Sequence, residues 1–210
     1  MWCSTRCKNV LINGPQVPVM DRRRTLLTAC CTALLGGMGV PTMAQAQAPT
    51  AATLPVELGT ELLGAQAAGT ARMRYFGFNI YDATLWVTPG FRASTYARHG
   101  LALELVYLRK LDGRAIAERS LTEMQGLEAI APAQARKWLS AMETAFPDVK
   151  AGDRLTGLHR PGIGARFWFN GQPVATVVDA EFSRLFFGIW LADATSEPAL
   201  RRQLLASAAP

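Results

Sequence analysis

The sequence predicts an α+β fold in which one sheet is covered by helices on one side, and three observations predict it. Segments follow the order strands, two helices, strands, two helices, with no internal repeat. Asn170-Gly171 stands between two strand-like runs, and Asn-Gly supplies the positive-φ pair that a two-residue hairpin turn needs. Asp112 and Asp179 each precede a stretch of helical apolar spacing, where a short carboxylate can accept hydrogen bonds from the unpaired first-turn amides. A length of 210 residues fits one domain.

The folded part is expected to span 54–210, after a loose linker of Ala, Pro, Thr and Gln at 47–53. Glu57 to Leu63 reads as a short strand or turn, and 64–69 as a small-residue stretch leading into Arg72. Residues 72–87, RMRYFGFNIYDATLWV, are read as one strand, because aromatic and β-branched residues at this density fit a pleated surface with little water on it. Pro89-Gly90 ends it. Leu101 to Leu108 is the next strand, with Leu101, Leu103, Leu105 and Tyr107 on one face. Asp112 opens a helix to about Glu128, whose inner side is Ile116, Ser120, Met124 and Leu127. Pro132, tolerated in a first helical turn, opens a second helix to about Ala145 with Trp138, Leu139, Met142 and Phe146 as its stripe. A strand region starts at Arg154 and continues into the Asn-Gly hairpin. Asp179 caps an apolar helix from Phe182 to Leu191, and Ser196 to Pro198 open the last one, with Leu200, Leu204 and Leu205 inward.

Residues 1–46 carry a different pattern. From Met20 a basic start (Arg22, Arg23, Arg24) is followed by an apolar stretch from Leu26 to Val40 and then Ala44-Gln45-Ala46, the order of an export signal with an A-x-A cleavage site. The stretch is too short and too rich in Gly and Ala for a permanent membrane span. RRRTLL resembles a twin-arginine signal, and Met20 is a candidate initiator. A periplasmic or secreted protein is expected. Cys3, Cys7, Cys30 and Cys31 all fall in this segment, so the mature chain is expected to hold no disulfide. The same segment carries +4 of the total net charge of +6, which leaves +2 for the rest and removes the case for a nucleic-acid partner.

Few groups point to chemistry. His99 and His159 lie in separate segments without a carboxylate cluster and read as surface or turn residues, so neither a metal nor a cofactor is expected. No nucleophile elbow, P-loop or dinucleotide-binding glycine pattern occurs, and Gly162-Ile163-Gly164 precedes a strand rather than a helix. Glu118, Glu123 and Glu128 are spread around the solvent side of their helix. Arg201 and Arg202 favour the negative end of the last helix dipole. Arg72, Tyr75, Tyr81 and Tyr107 remain. A guanidinium keeps its proton, so Arg72 beside an apolar run must meet an anion, carbonyls or water. Snorkelling to the rim and pairing with a bound anion both satisfy it.

Three stretches together resemble the chalcone isomerase-like family, in particular its exported bacterial branch. The first is Gly69-x-x-Arg72 with the aromatic run and Ile80-Tyr81-x-Ala83-x-Leu85-Trp86. The second is Leu103-Glu104-Leu105-Val106-Tyr107-Leu108-Arg109. The third comprises Phe146-Pro147-Asp148-Val149-Lys150-x-Gly152-Asp153, Asn170-Gly171 and Phe186-Phe187-Gly188-Ile189-Trp190-Leu191. The resemblance implies an open-faced β-sandwich, an antiparallel sheet backed by a layer of helices with a cleft between them. It also implies two uses of a strand arginine: stabilising a phenolate or enolate oxygen in the enzymes, or holding a carboxylate, helped by a tyrosine, in the fatty-acid binders.

Arg72 matches that arginine in position, with Tyr75 and the weaker match Tyr107 as further ligand-binding candidates. The threonine of the enzymes falls near Tyr75 or Phe76, and neither is a threonine. The resemblance therefore implies an exported protein that binds an apolar carboxylic acid such as a fatty acid. Two alternatives are an intramolecular lyase on a phenolic or enone substrate, with Arg72 as its catalytic oxyanion stabiliser, and a non-catalytic envelope interaction protein.

Overall fold

Six strands follow one another as an antiparallel meander in the order β1-β2-β3-β4-β5-β6 in a computed structural model that describes residues 52–209. Residues 1–46, expected from the sequence to be an export signal, lie outside the described residues. The strands are β1 Gln66–Tyr75, β2 Phe78–Val87, β3 Leu101–Tyr107, β4 Arg154–Arg160, β5 Gly164–Phe169 and β6 Gln172–Val177. Helices α1 Gly113–Leu127 and α2 Pro132–Ala145 connect β3 to β4, while α3 Ala180–Leu191 and α4 Pro198–Leu204 follow β6. This is the α+β open-faced sandwich expected from the sequence.

Side-chain alternation sorts the sheet into two faces. Ala83, Leu85, Leu101, Leu103, Leu105, Leu155, Ala165 and Phe167 point to the helices and join Met124, Trp138, Met142, Phe182, Phe186, Leu200 and Leu204 in the main core. Phe182 and Phe186 stack at 5.6 Å, and Phe167 meets Phe186 edge-on at 5.2 Å. The opposite face buries Trp86, Ala102, Leu158 and Trp168 beneath Leu58 and Leu62 of the segment before β1. A single 3-10 turn, Val56–Leu58, starts that segment, where a strand or turn was expected. Its Glu57 accepts from Arg154 and Thr156 and so ties the segment down across the sheet.

Local signals set the helices where the sequence put them. Asp112 accepts from the Ala115 amide at 2.9 Å to cap α1. Asp179 accepts from the Glu181 and Phe182 amides to cap α3, and its other oxygen receives the Trp138 and Gln134 side chains of α2. Arg201 works across elements, donating Nε to the carbonyl of Leu191 at 2.8 Å, so it caps the end of α3 as well as matching its own helix dipole.

Two expectations are corrected. Residues 72–87 are not one strand: the chain reverses at Phe76-Gly77, and β1 pairs back on β2 with Tyr75 opposite Phe78. The pair has φ of 47° and 80°, closely matching Asn170 and Gly171 at 49° and 81°, so the protein builds the same two-residue turn twice. The second correction concerns His159, which is not a surface residue. It is 1% exposed on the inner side of β4, with Nδ1 2.6 Å from Ser183 Oγ and Nε2 3.0 Å from the Ala97 carbonyl. Burial pushes its pKa down, so the ring is held neutral.

Candidate functional site

A cavity of about 320 Å³ lies between the inner face of the sheet and the helices. Its deep part is walled by Leu105, Leu155, Phe146, Phe186, Ile116 and Ile189, all apolar. Polar groups gather toward one end, where the β1–β2 hairpin, α1 and the α3–α4 loop meet. A pocket of this size and composition, with a few convergent polar groups, has the form of a small-molecule site.

Tyr81 and Tyr107 stand opposite each other on β2 and β3, with ring centroids 6.0 Å apart. Tyr81 Oη accepts the Trp190 indole N–H at 3.0 Å. Burial pushes the Tyr81 phenol up to about 12, with Glu197 and Glu123 adding to the shift and the Trp190 bond opposing it. Burial also pushes Tyr107 up, further raised by Tyr81. Both phenols are therefore neutral at physiological pH and can donate. Tyr107 is 2% exposed and lines the cavity, yet no described residue hydrogen-bonds its hydroxyl. Among the described residues no buried side-chain oxygen or nitrogen is left unsatisfied, so this hydroxyl opens onto the cavity, where it is free to pair with a ligand oxygen.

The cavity's cation comes from α1. Arg119 pairs with Glu123 one turn on, and its guanidinium lies 5.7 Å from the Tyr75 ring centroid. Glu123 also accepts from Ser196 at 2.7 Å, which ties α1 to the α3–α4 loop. Sequence reasoning missed this set. The signal was present: Ile116, Arg119, Ser120 and Glu123 follow i, i+3, i+4, i+7 spacing and share one helix face. Glu123 is thus a cavity residue, with a side chain 16% exposed, rather than part of a solvated stripe.

Of the residues singled out from the sequence, Tyr107 and Tyr75 line the cavity, Tyr75 at its rim with 48% of its surface exposed. Arg72 does not. Ala71 and Met73 take the inward positions of β1, so Arg72 projects from the opposite face and donates from both Nε and Nη2 to Asp82, at 2.6 and 2.8 Å. The reason is alternation along the strand. The pairing of Arg72 with a ligand in the cleft, and its use there as an oxyanion stabiliser, are not what this geometry provides.

His159 and Ser183 form a close pair but lie outside the cavity lining and are sealed from solvent, which makes them a structural tie. Among the described residues no group of three or more His, Cys, Asp or Glu is placed to hold a metal ion, and no helix is long and apolar enough to cross a membrane.

Comparison with known proteins agrees with this architecture. A family model described as chalcone isomerase-like matches residues 45–206. An uncharacterized protein of Haemophilus influenzae is 29% identical over 142 residues, which is 67% of either chain. The fold is similar to the crystal structure of an Arabidopsis thaliana fatty-acid binding protein, with a TM-score of 0.55 over 68% of this chain and 87% of that one. Identity there is 11%, so the likeness concerns the fold alone.

Proposed function

The chain belongs to the chalcone isomerase-like family, and from that premise we propose that it binds one apolar ligand with an oxygen-bearing head, a fatty acid in the leading reading, in the cavity between sheet and helices. The observation that carries this is a largely apolar cavity onto which Tyr107 opens a hydroxyl with no partner among the described residues. The tail lies among Leu105, Leu155, Phe146 and Phe186. The head lies at the tyrosine end, where Tyr107 and Tyr81 donate to its oxygens and Arg119 supplies positive charge at the rim. Likeness of fold to a plant fatty-acid binding protein supports the same reading.

Charge refines the ligand. Arg119 faces two carboxylates, Glu123 and Glu197, so the titratable lining sums to one negative charge. A fully ionised carboxylate gains little there from long-range attraction, and the neutral phenols supply the specific contacts. The lyase reading placed its oxyanion stabiliser at Arg72, which Asp82 holds on the other face of the sheet. In the proposed reading the chain is exported by the signal within residues 1–46, and the family match beginning at residue 45 is in keeping with that division.

The test is displacement of a fluorescent fatty acid by palmitate. Binding is expected in the wild type. Tyr107→Phe is expected to weaken it about fivefold, the equivalent of one net hydrogen bond of about 1 kcal/mol. Ile116→Trp fills the chamber and abolishes it, while Arg72→Ala leaves it unchanged. Absence of wild-type binding, or full binding by folded Ile116→Trp, overturns the assignment.

A further inference from the structure

The tip of the β1–β2 hairpin is built against the rules that shape the other hairpin. Both use a two-residue turn with two positive φ values, and β5–β6 fills it with Asn-Gly. At the same place β1–β2 has Phe76, at φ 47°, a conformation in which the Cβ of a bulky residue crowds its own backbone. Phe76 is also 84% exposed and Phe78 59% exposed. Neither the turn nor the core accounts for a phenylalanine here. Residues held in strained backbone and left open to water cluster at places that meet a partner.

Positive charge surrounds this apolar tip. Arg74 adjoins the turn, the guanidinium of Arg109 lies 4.7 Å from the Phe78 ring centroid, and Lys110 follows it. Among the described residues none of these three is in an ion pair. The neighbouring carboxylates are engaged elsewhere, Asp82 with Arg72 and Asp112 in capping α1. Tyr75, which starts the turn, is at once the rim of the cavity. Arg74 donates Nε to the neutral Asn79 side chain at 3.1 Å and keeps its charge uncompensated. Exposed aromatics beside cations without a carboxylate partner match an anionic lipid surface, where rings enter the headgroup layer and cations meet phosphates.

We propose that the β1–β2 hairpin tip docks on an anionic phospholipid bilayer through Phe76 and Phe78, with Arg74, Arg109 and Lys110 on the headgroups, and so presents the cavity mouth to the membrane. The docking is independent of which ligand the cavity takes, and the experiment reads the two apart. Co-sedimentation with vesicles of phosphatidylglycerol and phosphatidylcholine is compared with pure phosphatidylcholine, alongside fatty-acid displacement in solution. Wild type binds the anionic vesicles at low salt, at least about tenfold more strongly than neutral ones, and the binding falls with added salt. The double variant Phe76→Asn/Phe78→Ser loses at least about tenfold of it while keeping fatty-acid affinity and a cooperative unfolding transition. Arg109→Glu weakens binding to anionic vesicles only. In a Phe76→Trp variant the emission shifts to the blue and is quenched by brominated lipid on vesicle binding. No vesicle binding by the wild type, equal binding by the double variant, an unshifted emission from the Phe76→Trp variant, or self-association through the tip in its place overturns the proposal, whatever the fatty-acid assay shows.

Discussion

Phe76→Asn is expected to make the protein more stable although it touches nothing in the core. A residue with a Cβ in the left-handed region is disfavoured by about 1–2 kcal/mol, and Asn adopts that region several times more readily than Phe. The Asn170-Gly171 turn of the same chain shows that Asn fits this geometry within a few degrees. Against the gain stands the edge contact of Phe76 on Tyr75, with ring centroids 4.5 Å apart. An exposed aromatic pair is worth about 0.5 kcal/mol. The net is a gain of roughly 0.5–1 kcal/mol, or on the order of 2–3 °C in Tm for a domain of this size. Urea unfolding followed by tryptophan fluorescence measures it, and Phe76→Ala, which keeps the Cβ without Asn's tolerance, is expected to be no more stable than wild type. A midpoint for Phe76→Asn that stays level or falls, at constant m, refutes the claim that this turn is strained. If the gain appears together with loss of vesicle binding, the hairpin gives up stability for its surface role.

Two further expectations concern the frame around the cavity. Asp179→Ala removes the acceptor of two α3 amides and of the Trp138 and Gln134 side chains at once, so a loss of about 2–3 kcal/mol in chemical denaturation is expected; a loss below about 1 kcal/mol refutes the joint role. His159 has its pKa lowered by burial relative to the ordinary value of 6.5. Its contribution to stability is therefore complete above about pH 6.5 and is lost as pH falls, because the unfolded chain takes up a proton that the folded chain declines. Urea midpoints between about pH 8 and 5 are expected to drop in the wild type and to flatten in His159→Gln, and equal slopes would show that another group carries the acid sensitivity.

Much of this protein is written locally. Asp112 and Asp179 ahead of apolar spacing, Pro132 in a first turn and Asn170-Gly171 between strands each act within a few residues, so α1, α2, α3 and the β5–β6 hairpin could be placed from the sequence. The α+β order and the alternation of β3, with Tyr107 inward, were equally legible. What the sequence left undecided depends on phase and on distant partners. In one unbroken strand Arg72 shares a face with Phe76, Phe78 and Ile80. The turn at Phe76-Gly77 breaks that phase, and a phenylalanine gives no local warning of a positive φ. Pairing between β1 and β2 then sets Arg72 against Asp82 on the far side of the sheet. His159 carries no mark of burial until its ring is held between the Ala97 carbonyl of the 3-10 segment Ala93–Arg98 and the Ser183 hydroxyl of α3. The cavity exists only because β2, β3, α1 and the α3–α4 loop converge on it, which brings Tyr81, Tyr107, Arg119 and Glu123 together from three separate stretches of chain. Turn and cap chemistry acts over a few bonds and can be read in order; which face of a strand meets which helix is a property of packing, and only the tertiary structure decided it.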